Sequence, residues 1–586
     1  MKFLEGLTSL AAALSPAAQD GSSLWGGFLS PALPKWIVSG GLKSLTTPPW
    51  GEKTSGSDNP YTTAPFTEIT RHYDFEISRG TIAPDGYEKS VILVNGQFPG
   101  PLIEANWGDE IEVTVHNHIQ DEPEGTTIHW HGFLQTGTPW ADGVPGVSQC
   151  PIAPGKSFTY KFRAELYGTS WYHSHYSAQY SGGLIGPIVV YGPSNADYDI
   201  DVGPIMVNDW LHKDYYAVVE EVMASGFHGR VYSDNNLING RMNFDCSTLP
   251  PGNSAKCTDN AGLSKFQFQA GKTHRLRFIN SGSDGVQRIS IDNHMMTVIA
   301  NDFVEIKPYE TKVVTLGVGQ RVDVIVKADG NPESAYWLRS TLTTCSSATQ
   351  PMALAAIYYN GADTDSVPAS KPWDVPDPGT CANDDLAITE PYYPMELPEP
   401  SWVMNMDIAM TRNASGVLLW TFGGISARVD YNNPSLYQAN EENWEYGEGM
   451  NVMNFGSNSS VRFIVNNPTP SSHPMHAHGV NMYILSQGPG NYNHASPTRP
   501  ENPMRRDVQM VQPFGHIVVQ MDVLNPGIWP FHCHIAWHAS AGFFSQMIFL
   551  PEEIGDLDIP HESERTCHDW EAFTRRFSPD QIDSGL

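Results

Sequence analysis

Gly527-Ile-Trp-Pro-Phe-His-Cys-His-Ile-Ala-Trp-His538 sets three histidines (His532, His534, His538) and one cysteine (Cys533) within seven residues. In extended backbone, successive side chains face opposite sides. His532 and His534 then share one face while Cys533 takes the other. His538, five residues past the cysteine, can fold back to the Cys533 side. A thiolate with two imidazoles is the ligand set of a blue-copper electron-transfer centre. One strand would therefore join two metal sites back to back, as an electron path and not as a structural clip. The remaining ligands have to come from elsewhere in the chain.

Three further clusters supply them: His129-Trp-His131, His173-Ser-His175 and His473-Pro-Met-His476-Ala-His478. Together the four clusters hold ten of the 21 histidines. A single His-x-His pair is more often a core or surface feature than a ligand pair. Four clusters, two from each end of the chain, are not explained that way. Cysteine with histidines suits copper or zinc, but zinc rarely gathers so many imidazoles. An iron site would draw carboxylates into its ligand set, and these clusters contain none.

The clusters lie inside a repeat. Gly168-Thr-Ser-Trp-Tyr-His-Ser-His175 parallels Gly527 to His534, and each is followed by an apolar strand, Gly186-Pro-Ile-Val-Val or Gln546-Met-Ile-Phe-Leu. Asp109-Glu-Ile-Glu-Val-Thr-Val-His-Asn117 alternates as a half-buried strand does. Gly271-Lys-Thr-His-Arg-Leu-Arg-Phe-Ile-Asn280 echoes Gly155-Lys-Ser-Phe-Thr-Tyr-Lys-Phe162 in a middle segment, where Tyr336-Trp-Leu-Arg-Ser340 stands without histidine. Short strands broken by 52 Gly and 45 Pro indicate β-sandwiches or barrels. Three related domains follow, the middle one metal-free.

At 586 residues the chain is too long for one core, and about two to four domains is the prior. A net charge of -30 argues against nucleic acid or an anionic membrane as a partner. No apolar run approaches the roughly 20 residues that span a bilayer. Lys2, a modestly apolar middle and small residues after it outline a signal peptide over residues 1–20, although Glu5 and the serines weaken it. Residues 21–60 read as a pro-segment or irregular arm. With Cys533 set aside, six cysteines remain, a number suited to three disulfides in an oxidising compartment. The sequons at Asn413 and Asn458 fit the same secreted, extracellular address.

The four clusters resemble the copper-binding motifs of the multicopper oxidases, and more narrowly those of ascomycete-type fungal laccases, from about residue 65 to the end. Val94-Asn-Gly-Gln-Phe-Pro-Gly-Pro101, Trp140-Ala-Asp-Gly-Val144 and the terminal Asp583-Ser584-Gly585-Leu586 add to the likeness. The resemblance implies an all-β fold of three cupredoxin-like (Greek-key) domains over 61–200, 201–365 and 401–586, with a linker over 366–400. It implies four copper ions. His473, Cys533 and His538 would bind the type 1 copper, and His129 and His476 the type 2. His131, His173 and His534 would bind one type 3 copper; His175, His478 and His532 would bind the other. Electrons from a phenol or aromatic amine would enter at the His538 edge and pass through Cys533 to His532 or His534, and dioxygen would be reduced to water. The chain would act as a monomer.

By the same resemblance Phe543 takes the axial position of the type 1 site, where it cannot ligate, which raises the potential. Its neighbour Phe544 leaves the register open. Asp142 would assist proton delivery near the type 2 copper, Asp234 would be a substrate-pocket acid, and residues 583–586 would plug the tunnel to the cluster. Ala536 stands where basidiomycete laccases often carry an acid. Cys150 with Cys567 and Cys345 with Cys381 fit relatives, which leaves Cys246 with Cys257. Ferroxidase, bilirubin oxidase and ascorbate oxidase activities are alternatives on the same frame, and a copper-storage protein is one outside enzymes. A store, however, needs no cysteine joining two kinds of site.

Overall fold

The computed structural model describes residues 25–38, 46–120, 123–578 and 581–586. The signal-peptide reading of 1–20 lies outside these residues. Strands predominate and gather into three sandwiches, which bears out the all-β, three-domain cupredoxin-like expectation. The first packs two four-stranded sheets, the second a six-stranded on a five-stranded sheet, and the third two five-stranded sheets with a small ribbon. The strand Glu110–Asn117 buries Ile111, Val113 and Val115 and half-exposes the residues between them, the alternation written in its sequence.

Four strands matter for the site: β1 (Ile128–Trp130), β2 (Gly168–Ser174), β3 (His473–Ala477) and β4 (Gly527–Cys533). β1 pairs antiparallel with β2, setting His129 opposite His173. β3 pairs antiparallel with β4, setting His476 opposite His532 and Met475 opposite Cys533. The first and third domains thus present the same device. In each of the four strands a cluster histidine lies within the strand (His129, His173, His476, His532) and another just past its end (His131, His175, His478, His534), and β3 also opens on His473. A short helix α1 (Ala536–Ser540) then reverses the chain and returns His538.

Covalent and polar ties hold the domains around this seam. Cys150–Cys567 joins the first domain to the C-terminal helix His561–Thr574, and Cys246–Cys257 and Cys345–Cys381 are also bonded. From residue 360 to 401 the chain runs without helix or extended strand, pinned by Arg505 Nη2 on Tyr393 O (2.6 Å) and Asn502 Nδ2 on Pro391 O (2.9 Å). The amino-terminal arm pairs Leu33 with Asp201. No helix among the described residues is long and apolar enough to cross a membrane.

Candidate metal centre

β4 divides its side chains as extended backbone requires. On one face Cys533 Sγ lies 3.6 Å from both His473 Nδ1 and His538 Nδ1, which are themselves 3.1 Å apart. All three side chains are buried. Three potential ligand atoms, one sulfur and two imidazole nitrogens, converge at these spacings and form a pocket suited to a soft cation. The Phe543 ring lies 5.0 Å from that of His473 and also packs on Trp420, while Phe544 turns into a separate core cluster. Phe543 is therefore the phenylalanine that walls this site.

On the other face of β4, eight histidines converge between the first and third domains. His131, His173 and His534 have ring centroids 5.0 to 5.7 Å apart. His175, His478 and His532 lie 5.1 to 5.3 Å apart, and His129 and His476 lie 5.8 Å apart. Among the described residues, the groups able to hold a metal draw on the first and third domains only.

Outer contacts decide which ring nitrogen faces inward. Nδ1 of His129 donates to Asp142 O (2.8 Å), of His173 to Ser174 O (2.9 Å), and of His476 to Asp507 O (2.9 Å). His478 Nδ1 donates to Asp142 Oδ2 (2.9 Å) and His532 Nδ1 to Cys533 O (2.9 Å). These five rings leave Nε2 for the interior. His131 is reversed: Nε2 donates to Asp507 Oδ1 (3.0 Å), and Nδ1 faces inward, 3.3 Å from His534 Nε2.

The residues present fit a metal. Nε2 of His129, His173 and His476 and both ring nitrogens of His175 are buried without a partner in the protein. Each such atom costs about 1–3 kcal/mol, and a shared cation relieves several at once. Burial, reinforced by neighbouring imidazoles, holds His131, His173, His175, His473, His476, His478 and His534 well below the ordinary histidine range. Burial brings His532 down to about 4 and His538 to about 3. These rings are neutral at pH 7, with lone pairs free to ligate. Burial pushes the Cys533 thiol up, so a metal there displaces a proton and binds more tightly as pH rises. Copper loading is accordingly expected to raise the thermal midpoint, since each site saturated a hundredfold over its Kd contributes about 2.7 kcal/mol. Calorimetry with and without a copper chelator checks this, and an unchanged midpoint would count against it.

His538 is buried, and its side chain helps line a cleft together with Trp420, Leu418, Phe227 and Trp537. The acid in its lining is Asp284, which burial and the nearby Asp209 raise to about 7. The sequence reading placed the pocket acid at Asp234. The Asp234 carboxylate accepts from the backbone N–H of His212 (2.7 Å) and does not line the cleft. Asp284 sits in Ser281-Gly-Ser-Asp284, where only the tertiary fold brings it beside His538.

Leu586 is buried and lines a small cavity that also touches His173, His175, His532 and His534. Asp583 accepts from Ser177 Oγ (2.6 Å), Ser584 Oγ donates to Ala539 O (2.7 Å), and Gly585 O accepts from Tyr431 Oη (2.8 Å). Asn413 is exposed in a turn, whereas half-buried Asn458 donates its amide to Phe455 O (2.6 Å).

Three profiles described as multicopper oxidase match residues 76–195, 201–362 and 425–553. Oxidoreductase OpS5 of Beauveria bassiana is 38% identical, with 92% of this chain and 91% of that protein covered. Laccase-2 of Botryotinia fuckeliana is 36% identical with 100% of both covered. Among solved structures, the laccase from Botrytis aclada superposes with a TM-score of 0.84 at 35% identity, covering 92% of this chain and 98% of that one. Fet3p, a multicopper oxidase that functions in iron import, gives 0.76 at 26% identity, covering 86% and 95%.

Proposed function

Because this chain belongs to the multicopper oxidase family, whose members carry four copper ions, we propose that it is a secreted laccase. Its substrates would be phenols and aromatic amines, and its electron acceptor dioxygen. The observation that carries the reading is β4, where Cys533 Sγ belongs to one ligand set and its neighbours His532 and His534 to the other. Bound copper would supply one-electron oxidation at the cysteine site and four-electron reduction of dioxygen to water at the histidine cluster.

The protein's own part is geometric. His473, Cys533 and His538 would hold the blue copper, and His129 and His476 the type 2 ion. His131, His173 and His534 would hold one type 3 ion, and His175, His478 and His532 the other. The His538 edge offers the contact with substrate. From Cys533, the peptide bond to His534 and the hydrogen bond from His532 Nδ1 to Cys533 O connect the two ligand sets. Asp142 fixes the His478 ring and lies 3.2 Å from His129 Nδ1, at the place where a proton would be delivered to reduced oxygen. Asp284 stands ready to take the proton of the departing phenol. Asp583 to Leu586 would close the cavity beside the cluster.

Phe543 offers no electron pair to the cysteine site. Phe543→Met is expected to lower its potential by adding a weak thioether ligand, as a redox titration of the blue absorption would read; a potential unchanged or raised would sink the axial assignment. The function itself is tested by oxygen uptake of the copper-loaded chain with a methoxyphenol, ferrous iron and ascorbate, with peroxide monitored. Fast uptake on the phenol without peroxide supports laccase. Preference for ferrous iron would favour a ferroxidase, a reading that has only Asp284 as an acid in the cleft lining.

A further inference from the structure

The middle domain supplies no ligand, yet one of its arginines reaches the histidine cluster. Arg321, fully buried at the start of the strand Arg321–Lys327, donates from Nη1 to Asp507 Oδ1 (2.5 Å) and from Nη2 to Asp507 Oδ2 (2.7 Å). Its Nε donates to Thr169 O of β2 (3.1 Å). One guanidinium thus touches all three domains. Asp507 spends the same carboxylate on His131 Nε2 and its backbone carbonyl on His476 Nδ1. Asp302 and Arg506 complete the group, with Arg506 Nε on Asp302 Oδ2 (3.1 Å) and the Arg321 backbone N–H on Asp302 Oδ1 (2.9 Å). Two cations and two carboxylates are buried together without net charge.

A buried ion pair of this kind adds little net stability. Its effect here is directional. Asp507 is what reverses His131, the ring that turns Nδ1 and not Nε2 to the interior. Two glycines leave room for the arrangement. A Cβ on Gly132 (φ +79°) would lie 2.6 Å from both Arg321 Nη2 and Asp507 Oδ2, and one on Gly319 (φ +87°) 2.9 Å from His534 Cδ2 and 3.0 Å from His131 Cε1. Both are positive-φ positions that favour glycine.

We propose that Arg321 and Asp507 are positioning residues for the copper cluster: the Arg321 fork fixes the Asp507 carboxylate, which fixes the ring of His131 with Nδ1 toward the metal. The middle domain thereby sets the geometry of a site formed by its neighbours. This rests on the cluster being a copper site.

The test uses the full copper-loaded chain and the variants Asp507→Asn and Arg321→Lys. A chelator titration follows total copper, the electron-spin signal of the copper that is not blue, and the blue absorption of the Cys533 site. Asp507→Asn is expected to release cluster copper at about 10–100-fold less chelator, the usual cost of losing an outer partner of a ligand, with the blue absorption retained. Arg321→Lys, which keeps the charge but not the fork, is expected to fall between. Release of cluster copper at the wild-type chelator concentration in both variants would overturn the proposal. So would loss of blue and cluster copper together, which marks general destabilisation. A wild-type chain that takes up blue-site copper but none in the cluster would overturn the underlying reading, and this one with it.

Discussion

Cys533→Ser is expected to abolish the blue colour of the copper-loaded chain and to cut phenol oxidation by about a thousandfold, some 4 kcal/mol in barrier terms. The hydroxyl is a hard, weakly acidic group, and soft sulfur is what selects copper at a site with two imidazoles. Serine is smaller by little and Cys533 is buried, so the sandwich keeps its packing. The eight histidines face the other side of β4 and keep their copper, as metal analysis would show. Only the electron entry is removed. Persistent oxygen uptake on a phenol at near wild-type rates in the serine variant would mean that electrons reach the cluster by another route, and the two-faced reading of β4 would fall.

That reading came from alternation along seven residues, a local property that a sequence displays directly. Spacing also paired His129 with His131 and His173 with His175, because a His-x-His pair on a strand sets two side chains on one face; that the pairs share one site came from the family resemblance. Residues that act through tertiary contact carried no such mark. Asp507 follows Arg505 and Arg506 in a basic run, and nothing in that run announces that its carboxylate meets His131 across the domain seam. Asp234 shows the reverse case. Its local motif, Asp234-Asn-Asn-Leu-Ile-Asn-Gly240, matched a pattern, but its carboxylate accepts from the His212 backbone N–H and is not in the lining of the cleft beside His538. The choice between Phe543 and Phe544 also needed the fold, since one residue of register sends a side chain to the opposite face.

Asp284→Asn is expected to lower kcat/KM for phenols by about a hundredfold above neutral pH, within the usual span of general-base effects. A phenol loses its electron more readily as its proton leaves, so an acceptor beside the His538 edge assists the transfer. Burial and Asp209 raise Asp284 to about 7. Below that pH it is protonated and cannot accept; above it the carboxylate can. Phenol oxidation by the wild-type chain should therefore rise as pH increases through about 7, and the asparagine variant should lack that rise. An inorganic one-electron donor, which has no proton to give, separates this effect from damage to the copper site: its rate should be unchanged by the substitution. If the rise with pH survived in the variant, the proton would be leaving to water or to another group, and Asp284 would be only part of the cleft wall. If the inorganic donor slowed as much as the phenol, the residue would act on the His538 side of the transfer and not on the substrate.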